Sequence, residues 1–597
     1  MNVPTDLHAA RLAAVRAILV RESVDGLLVP RADEHLGEYV PASAERLAWL
    51  TGFTGSAGLA VVLRDRAAVF TDGRYTLQLA EQTSPVLFER HHLIEEPPPA
   101  WLAAAVPGAR IGYSPWLHSE ESLRAYAETG VNLVPLAANP IDEAWQDRPA
   151  PPRAPAVPHS LDYAGRSAAE KRAEITAALR KAGQDAAVLT DPASLAWLLN
   201  IRGGDVPYTP LALGFAIVHA DGRVTLFMDG AKLGPETRAW LGPEVESRDP
   251  AEIPAALAGF GGKRVRVDPA GSPAWFAQTL RSAGAEAVPG SDPCLLPKAA
   301  KNATEQDGAR AAHARDAVAL CRFLAWLEGA AGRGETEVSA AERLLALRAE
   351  VPLFQGESFP AISGAGEHGA IIHYRATPES DRPLRPDEVY LIDSGAQYLD
   401  GTTDVTRTVW TGPGAPPEAL RERFTRVLQG HIALATLRFP EGVSGPHLEA
   451  FARRALWQVG LDYDHGTGHG VGSYLSVHEG PAGLSRAGRP VPLAAGMILS
   501  DEPGYYEPGA YGIRLENLLL VQPAEGLGAR RPFLRFETLT LAPFDRRLIE
   551  PGLLAAEERA WVDAYHARVL AEVGPKLDDG ARAWLAAACA PLSVPAS

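Results

Sequence analysis

The sequence predicts an α/β (α+β) protein of several domains, and three observations support this. The chain has 597 residues, which is more than one hydrophobic core can organise. In the first half, one order of predicted helices, strands and turns occurs twice. In the second half, a long predicted helix precedes strands that glycines repeatedly interrupt. Two related α/β domains should therefore precede a larger third domain.

The first predicted domain, residues 1–148, begins with an amphipathic helix whose charges distinguish it from a signal peptide. An apolar strand follows at 25–29. Gly52 and two later glycines then separate apolar segments that are expected to be strands, and Trp49 lies in the first of them. A TDG turn at Asp72 ends the pattern, which is typical of an α/β unit.

The second predicted domain, residues 159–297, repeats this order. A helix near 167–182 is followed by an apolar strand, a segment that contains Trp197 and a turn at Asp229. The repeat is too long for a solenoid unit and therefore indicates a duplicated domain. Between the two copies, the proline-rich stretch 148–158 predicts a stiff, extended linker.

The third predicted domain, residues 298–597, begins with a long helix that runs to about Glu328, and Thr304 is its predicted N-cap. One helix face has the apolar spacing of a helix that packs on a sheet. Its residues are Ala317, Leu320, Phe323, Leu324 and Leu327. From about residue 530 a strand and a helix at about 554–572 follow, and this helix should stabilise or assemble the protein.

Composition and charge limit the partners and the location. Hydrophobic residues make up 46% and charged residues 22% of the chain, as in an ordinary globular protein, and no apolar run is long enough to span a bilayer. The net charge of −16 argues against nucleic acid or an anionic membrane as a partner. The three cysteines are scattered without metal-ligand spacing, which favours a reducing, cytoplasmic environment.

The stretch 391–407, LIDSGAQYLDGTTDVTR, is predicted to be a β-hairpin that brings two carboxylates together. An apolar run ends at Asp393, and a segment of alternating polarity begins near Asp404. Side chains on paired antiparallel strands lie about 5 Å apart when directly opposite, so both carboxylates can point at one spot. Because two such carboxylates repel each other, this arrangement indicates a cation between them.

Three further ligand-type residues follow in strand and turn segments: His469 in HGTGHGVG, Glu502 in LSDEPGYYE and Glu516 in GIRLENLLL. Any one of these residues alone is more often structural. Together with Asp393 and Asp404 they supply four carboxylates and one imidazole, which is what a two-metal site with bridging oxygens requires. This donor set favours manganese, cobalt, iron or zinc over copper, and the excess of carboxylates favours manganese.

Three motif stretches, 393–408, 465–481 and 500–517, closely resemble those of the pita-bread metallopeptidases, and best those of the three-domain cytosolic Xaa-Pro aminopeptidases. The resemblance covers nearly the whole chain. It implies two related α/β domains, then a pita-bread catalytic domain with a C-terminal extension. It also implies a cytoplasmic enzyme, expected as a homodimer, that uses two divalent metal ions, manganese before zinc or cobalt, and acts on peptides with proline in second position.

The resemblance further implies a role for each ligand. Asp393 would bind one metal, His469 and Glu502 would bind the other, and Asp404 and Glu516 would bridge both. Glu502 would also accept a proton from the attacking water. A hydroxide between the two metals would then cleave the Xaa-Pro bond and release the first residue.

Three histidines and one arginine in or near the motifs are candidate substrate-binding residues. By resemblance, His373 and His478 bind substrate and act in catalysis, as neutral rings that donate a hydrogen bond to the carbonyl or carry a proton to the leaving amine. His465 would shape the substrate side of the pocket or only hold its loop. Arg514 lies on the same predicted strand face as Glu516 and would hold either substrate or a ligand.

The same residues bear on other functions. A catalytically inactive pita-bread module that binds peptides or proteins would be free to lose ligands that this chain keeps. A metal-free creatinase-type enzyme would lack the carboxylate set. A prolidase-type Xaa-Pro dipeptidase shares the ligands and stays open as an alternative. Tyr474 and Tyr511 are further candidates, as aromatic rings that face the substrate proline, whereas His368 receives no role.

Overall fold

Six strands form a mixed sheet at the centre of the first predicted domain. The computed structural model describes residues 5–526, 528 and 530–592. From edge to edge, the strands of this sheet are Glu89–His92, Ala67–Thr71, Leu59–Leu63, Gly26–Pro30, Arg110–Tyr113 and Asn132–Pro135. The α-helices of this part of the chain are Thr5–Arg21, Arg46–Thr51, Thr76–Gln82, Pro98–Ala105, Glu120–Glu128 and Pro140–Ala144.

A second six-stranded sheet repeats the first, strand for strand. In the same edge-to-edge order its strands are Val245–Arg248, Val224–Phe227, Phe215–His219, Ala186–Leu189, Arg264–Val267 and Glu286–Pro289. Corresponding strands also run in corresponding directions in the two sheets. The accompanying helices are Ala168–Lys181, Pro192–Leu199, Pro235–Leu241, Ile253–Ala258 and Ala274–Ser282. The predicted duplication of an α/β domain is therefore confirmed.

The segments around Trp49 and Trp197 are helices, which corrects one expectation. Trp49 lies in Arg46–Thr51 and Trp197 in Pro192–Leu199. The strand expected before Gly52 is therefore wrong, because a short apolar run that is buried on most sides has no period by which a helix and a strand can be told apart. Gly52 ends the first helix with a left-handed φ of 84°.

Close contacts divide the chain into two units. The first extends to Ser160 and includes Arg166–Leu295, so it contains both six-stranded sheets; the second consists of Leu161–Gly165 and the chain from Leu296 onwards. Within the first unit, the end of the predicted linker pairs as the strand Val157–Pro158 with Ile201–Arg202. The boundaries predicted for the three domains remain predictions.

The second unit contains three sheets and a separate hairpin. A six-stranded sheet has the order Arg438–Pro440, Phe533–Thr538, Asn517–Pro523, Ile498–Asp501, Gly468–Gly470 and Glu479–Leu484. The two three-stranded sheets are Phe354–Glu357 with Ala396–Tyr398 and Gly401–Thr402, and Ile362–Ala365 with Glu388–Ser394 and Val405–Thr411. The hairpin consists of Gly504–Glu507 and Tyr511–Arg514. The helices are Leu161–Ala164, Leu295–Ala299, Ala303–Leu327, Glu337–Ala349, Glu418–Ala435, Gly445–Trp457, Ala556–Val573 and Asp579–Ala588.

The long helix Ala303–Leu327 packs on the sheet that carries the first two candidate ligands. All five residues of its predicted apolar face are buried. Four of them share one apolar cluster with residues of the strands Glu388–Ser394 and Val405–Thr411. These contacts are made by Leu320, Phe323, Leu324 and Leu327 with Tyr390, Ile392, Val405 and Val409. The helix therefore supports the hairpin from behind, as predicted.

The N-cap of this helix is Asn302, so the prediction of Thr304 is wrong. The Asn302 side chain accepts a hydrogen bond from the backbone N–H of Glu305 at 3.1 Å, and the Glu305 carboxylate accepts one from the Asn302 N–H at 3.0 Å. This reciprocal capping box satisfies two backbone donors at once, which Thr304 cannot do from inside the first turn.

The C-terminal extension packs on the rest of the second unit through one buried face of its first helix. The helix Ala556–Val573 buries Val562, Tyr565, His566, Val569 and Val573. Most of these residues belong to the same apolar cluster as Phe424 and Leu428 of Glu418–Ala435. Within the described part of the chain, no helix has the length and apolar character needed to cross a membrane.

We expect the capping box to be a measurable part of the stability of the second unit. Asn302→Ala removes the cap and should lower its free energy of unfolding by about 1 kcal/mol. Thr304→Ala, two residues further on, is the matched control and should change it by much less. Urea unfolding of both variants beside the wild type measures this. Equal losses in the two variants would contradict the assignment of the cap.

Candidate metal centre

The first two carboxylates lie on one hairpin, and its register determines how they face each other. Strands Glu388–Ser394 and Val405–Thr411 are antiparallel, and Asp393 pairs with Thr406. Asp404 lies two residues before Thr406, so it occupies a diagonal position on the same face. The predicted hairpin is confirmed, but the residue directly opposite Asp393 is Thr406 and not Asp404.

His469 lies at the middle of a short strand whose flanking glycines allow very close packing. A Cβ atom at Gly468 would lie 1.9 Å from the Ser500 carbonyl oxygen, and one at Gly470 would lie 2.1 Å from that of Glu479. Larger residues at these two positions would push the strand away from its neighbours. The glycines of the HGTGHGVG motif therefore hold His469 inside the sheet.

The imidazole of His469 presents one nitrogen to the carboxylates. Its Nδ1 donates to the Gly470 carbonyl at 3.0 Å, so Nε2 carries the free lone pair of the neutral ring. Nε2 lies 3.5 Å from Asp404 Oδ2 and 3.4 Å from Glu502 Oε1. A backbone carbonyl that fixes the ring in this way is typical of histidines that bind metals.

Glu502 and Glu516 enter the site from strand ends. Glu502 directly follows Ile498–Asp501, and its Oε1 accepts a hydrogen bond from Ser500 Oγ at 3.0 Å. The Glu516 N–H donates to the Thr406 carbonyl at 3.2 Å, and Glu516 Oε2 accepts from Thr406 Oγ1 at 2.7 Å. Thr406 thus connects Glu516 to the hairpin that carries Asp393.

These side chains form a set that suits metal ions. Ligand atoms of Asp404, His469 and Glu516 all lie within 4.8 Å of one another, and Glu502 contacts His469. Asp393 Oδ1 is buried and has no hydrogen-bond partner among the residues that the structure describes. A buried carboxylate oxygen without a partner is costly unless a cation binds it. The donor set of four carboxylates and one imidazole therefore fits hard or borderline divalent metals.

The charges of the site perturb its own ionisation. Burial, with repulsion from Asp404 and Glu502, raises the pKa of Asp393 to about 6 in spite of the Arg514 cation. Burial and the same crowding raise the pKa of Glu516 well above its usual value. Burial alone would lower the pKa of His469, but Asp404 and Glu502 raise it to about 9. The protein thus concentrates negative charge that cations can neutralise.

Arg514 is buried and contacts Asp393, one of the candidate ligands. Its Nη2 donates to Asp393 Oδ2 at 2.7 Å, and its Nη1 donates to the Tyr506 hydroxyl at 2.7 Å. His465 donates from Nδ1 to the Gly466 carbonyl, so its Nε2 accepts from Tyr506 at 2.8 Å. The structure therefore joins His465 to Asp393 through Tyr506 and Arg514, two residues that are themselves hydrogen-bonded.

The two histidines predicted to act in catalysis lie on the more open side. The ring of His478 is exposed and meets the ring of His469 edge to face, with centroids 4.3 Å apart. His373 is half-buried in the loop that follows the 3-10 helix Gly366–Ala370. Tyr374, the next residue, donates from its hydroxyl to the buried carboxylate of Glu337 at 2.9 Å.

His368, to which the sequence assigns no role, shares that carboxylate. His368 Nδ1 lies 2.9 Å from Glu337 Oε1, and the Ala365 N–H donates to the same oxygen at 2.7 Å. Glu337 therefore holds both ends of the loop that carries His373. No sequence motif marks Glu337, since it belongs to the first turn of an ordinary amphipathic helix.

Tyr506 is a site residue that strand alternation could have identified. In the hairpin, Gly504 pairs with Arg514, so Tyr506, two residues on, shares the face of Arg514. Tyr511 lies three residues from Arg514, faces the other way and packs beside Tyr505 in an apolar cluster. Tyr474 is buried, with a left-handed φ of 50°.

Glu479 also lies beside the site and is not among the residues predicted from the sequence. It directly follows His478 and is fully enclosed, yet it is ionically paired with two buried lysines. Lys301 Nζ lies 2.5 Å from its Oε1, and Lys298 Nζ lies 3.4 Å from its Oε2. Its strand position opposite Gly470 links the segment of His478 to that of His469.

Models of known protein families match most of the chain, from residue 11 to residue 592. Two models of a Creatinase/Prolidase N-terminal domain match residues 11–143 and 147–305. Metallopeptidase family M24 matches residues 307–523, and the C-terminal region of peptidase M24 matches 532–592. The two successive N-terminal matches agree with the duplicated sheets described above.

Individual relatives match over nearly their full length. Aminopeptidase P2 of Arabidopsis thaliana is 39% identical over 98% of this chain and 89% of its own. A probable Xaa-Pro aminopeptidase P of Neosartorya fischeri is 39% identical over 98% of this chain and 92% of its own. The crystal structure of X-prolyl aminopeptidase from Caenorhabditis elegans, a cytosolic enzyme with a di-nuclear active site, superposes with a TM-score of 0.93 at 34% identity, over 98% of this chain and 99% of that one. The chain therefore has the pita-bread catalytic fold and belongs to metallopeptidase family M24, in the group of the Xaa-Pro aminopeptidases or aminopeptidases P.

Proposed function

We propose that this protein is a metal-dependent aminopeptidase that hydrolyses the bond between the first residue of a peptide and a proline in second position. The convergence of Asp404, His469 and Glu516, with Glu502 and Asp393 beside them, is the observation that carries this proposal. Relatives of nearly the same length are named for this activity, which supports it further.

The centre holds two divalent metal ions in this proposal. Asp393 would hold one ion, His469 and Glu502 would hold the other, and Asp404 and Glu516 would contribute to holding both. The di-nuclear site of the Caenorhabditis elegans enzyme supports the number of ions. Manganese is the metal that we propose, before zinc or cobalt, because the site supplies four carboxylate groups and one imidazole. When bound, such a pair lowers the pKa of water and polarises the scissile carbonyl.

Glu502 is the carboxylate best placed to accept the proton of the attacking water. Its side chain is 17% exposed, against 10% for Asp393 and 5% for Asp404, and Glu516 is buried. Substrate and water reach a site from its exposed side, so the most accessible carboxylate is the one that can lie next to the attacking water. Ser500 orients this carboxylate through its hydroxyl.

His478 and His373 are proposed to bind substrate and to assist bond cleavage. His478 is exposed beside His469, where a neutral ring can donate to the substrate carbonyl or pass a proton to the leaving proline nitrogen. His465 is held by Tyr506, and we propose that it borders the substrate pocket. Arg514 acts in this scheme mainly on Asp393, whose position it determines, and so reaches substrate only indirectly.

A cytoplasmic location and a homodimer are also part of the proposal. The cytosolic location of the Caenorhabditis elegans enzyme supports the first. Peptides with proline second are the proposed partners, and the charge of −16 argues against nucleic acid.

Ligand and non-ligand residues should respond differently to substitution. Asp404→Asn or Glu516→Gln should abolish turnover and reduce the metal content, because each removes a bridging oxygen and leaves the centre incomplete. His478→Ala should keep the metal content but lower kcat by about 10² to 10⁴, as expected for a general acid or base. Elemental analysis and kinetics on the same preparations measure both. Full activity in a preparation free of metal would disprove the proposal.

Metal should stabilise the protein more as pH rises. The pKa of Asp393 is raised from 3.8 to about 6 and that of His469 from 6.5 to about 9. In the metal-free protein, each of these two groups therefore stabilises the fold when it is protonated, and this contribution is fully present below its unfolded pKa of 3.8 or 6.5. The contribution is lost as pH rises through the folded pKa of about 6 or about 9. The Tm gap between manganese-loaded and chelator-treated protein should widen from pH 5 to pH 8.5, and Glu516→Gln should reduce this widening. A constant gap would contradict the assignment.

Peptide length and sequence should separate this activity from its alternatives. Proline has no N–H and a fixed φ, so an enzyme for the Xaa-Pro bond binds the ring by shape. We expect fast cleavage of Xaa-Pro-Yaa, far slower cleavage of Xaa-Ala-Yaa and no cleavage of acetyl-Xaa-Pro-Yaa. Mass spectrometry of the three reactions measures this. Equal cleavage of the first two peptides would refute proline specificity. Cleavage confined to the dipeptide Xaa-Pro would instead identify a prolidase-type enzyme.

A further inference from the structure

A buried arginine contacts the backbone of Glu516, one of the proposed metal ligands. Arg407 is 1% exposed, and its Nη1 donates to the main-chain carbonyl of Glu516 at 2.6 Å and to that of Thr406 at 2.8 Å. Thr406 in turn holds the Glu516 carboxylate through its hydroxyl. A single guanidinium therefore fixes the backbone on both sides of one metal ligand.

The other nitrogens of Arg407 bind the segment that leads into the C-terminal extension. Nε donates to the Pro543 carbonyl at 3.1 Å, and Nη2 donates to the Ala542 carbonyl at 2.7 Å. The ring of Phe544 lies under the guanidinium, 4.5 Å from its carbon to the ring centroid. A buried guanidinium is costly unless its donors are satisfied, and here every nitrogen has an acceptor.

Tyr565 connects this arginine to the helix Ala556–Val573. Its hydroxyl accepts from Arg407 Nη2 at 3.1 Å and donates to the Ala542 carbonyl at 2.9 Å. Trp561 stacks on the Tyr565 ring with centroids 5.3 Å apart and nearly parallel planes. A stacked ring with a hydrogen-bonded hydroxyl has little freedom to move, so Tyr565 restricts Arg407 to one position.

A second branch of the network reaches the segment of Glu502. Arg407 Nη2 also donates to Asn517 Oδ1 at 2.8 Å, and Asn517 Nδ2 donates to His431 Nε2 at 3.0 Å. His431 Nδ1 then donates to the main-chain carbonyl of Asp501 at 3.1 Å. Asp501 directly precedes Glu502, so this branch fixes the backbone beside a second ligand.

We propose that the C-terminal extension positions the metal ligands, with Tyr565 and Arg407 as positioning residues for Glu516 and, through Asn517 and His431, for Glu502. The proposal rests on the dinuclear centre proposed above. It assigns a role in metal binding to the helix Ala556–Val573, which contains none of the five proposed ligands. Contacts that orient ligands from outside the coordination sphere affect metal affinity by about 10- to 100-fold.

Tyr565→Phe tests this with a minimal change, since it removes one hydroxyl and keeps the stacked ring. A calorimetric titration of the chelator-treated full-length protein with Mn²⁺ should show that the Mn²⁺ affinity of at least one of the two sites is lower by about tenfold or more. Tyr113→Phe is the matched control, because that tyrosine is also buried and its hydroxyl accepts a hydrogen bond from Gln278 Nε2 at 3.2 Å within the first unit, outside the network. Its Mn²⁺ affinities should equal those of the wild type.

Arg407→Lys provides the second variant, since lysine keeps the charge but cannot reach the Glu516, Ala542 and Asn517 oxygens together. It should weaken Mn²⁺ binding more than Tyr565→Phe, and it decides the question if the tyrosine variant does not fold. Unchanged affinities in a folded variant, or equal losses in Tyr113→Phe, would overturn the proposal. Because binding is measured, the result does not depend on whether the wild type cleaves Xaa-Pro peptides.

Discussion

The crowding of four carboxylates in one largely buried site is the constraint on which the second unit depends. Two like charges near each other in a low dielectric repel strongly, and burial removes the water that would screen them. The raised pKa values of Asp393 and Glu516 show this cost. Arg514 offsets part of it at Asp393. The rest of the charge makes the site a receptor for divalent cations, and the surrounding fold has to hold the ligands in place until those cations bind.

The fold meets this requirement by close backbone approach and by buried hydrogen bonds. Gly468 and Gly470 let the strand of His469 lie against both neighbours at distances that a side chain would prevent. Thr406 and Arg407 connect the hairpin of Asp393 with the strand junction at Glu516. Because the proposed ligands come from four separate segments, such cross-connections keep their side chains within reach of one another.

Exposure separates the tasks of the residues around the centre. Glu516 and the arginines lie on the enclosed side, where they can only orient and neutralise. Glu502 and His478 lie towards solvent, where water and peptide arrive. Because only the accessible groups can meet water and substrate, we assign proton transfer to them, and we assign the positioning of the proposed ligands to the buried groups. The ion pair of Glu479 with two buried lysines extends the enclosed side of the site to the residue that directly follows His478.

Residue type and spacing were sufficient to predict the duplicated α/β sheets, the long helix on the hairpin and the convergence of Asp404, His469 and Glu516, because helix and strand periodicity and ligand chemistry are local properties. Short apolar segments were ambiguous, so the helix at Trp49 was missed, and the choice between Asn302 and Thr304 depended on a reciprocal bond that only the folded backbone shows. The partner of Asp393 across the hairpin required the actual register. Glu337, Arg407 and Tyr565 act through contacts between segments far apart in the chain, and such contacts leave no pattern in the sequence because they exist only once the segments have packed.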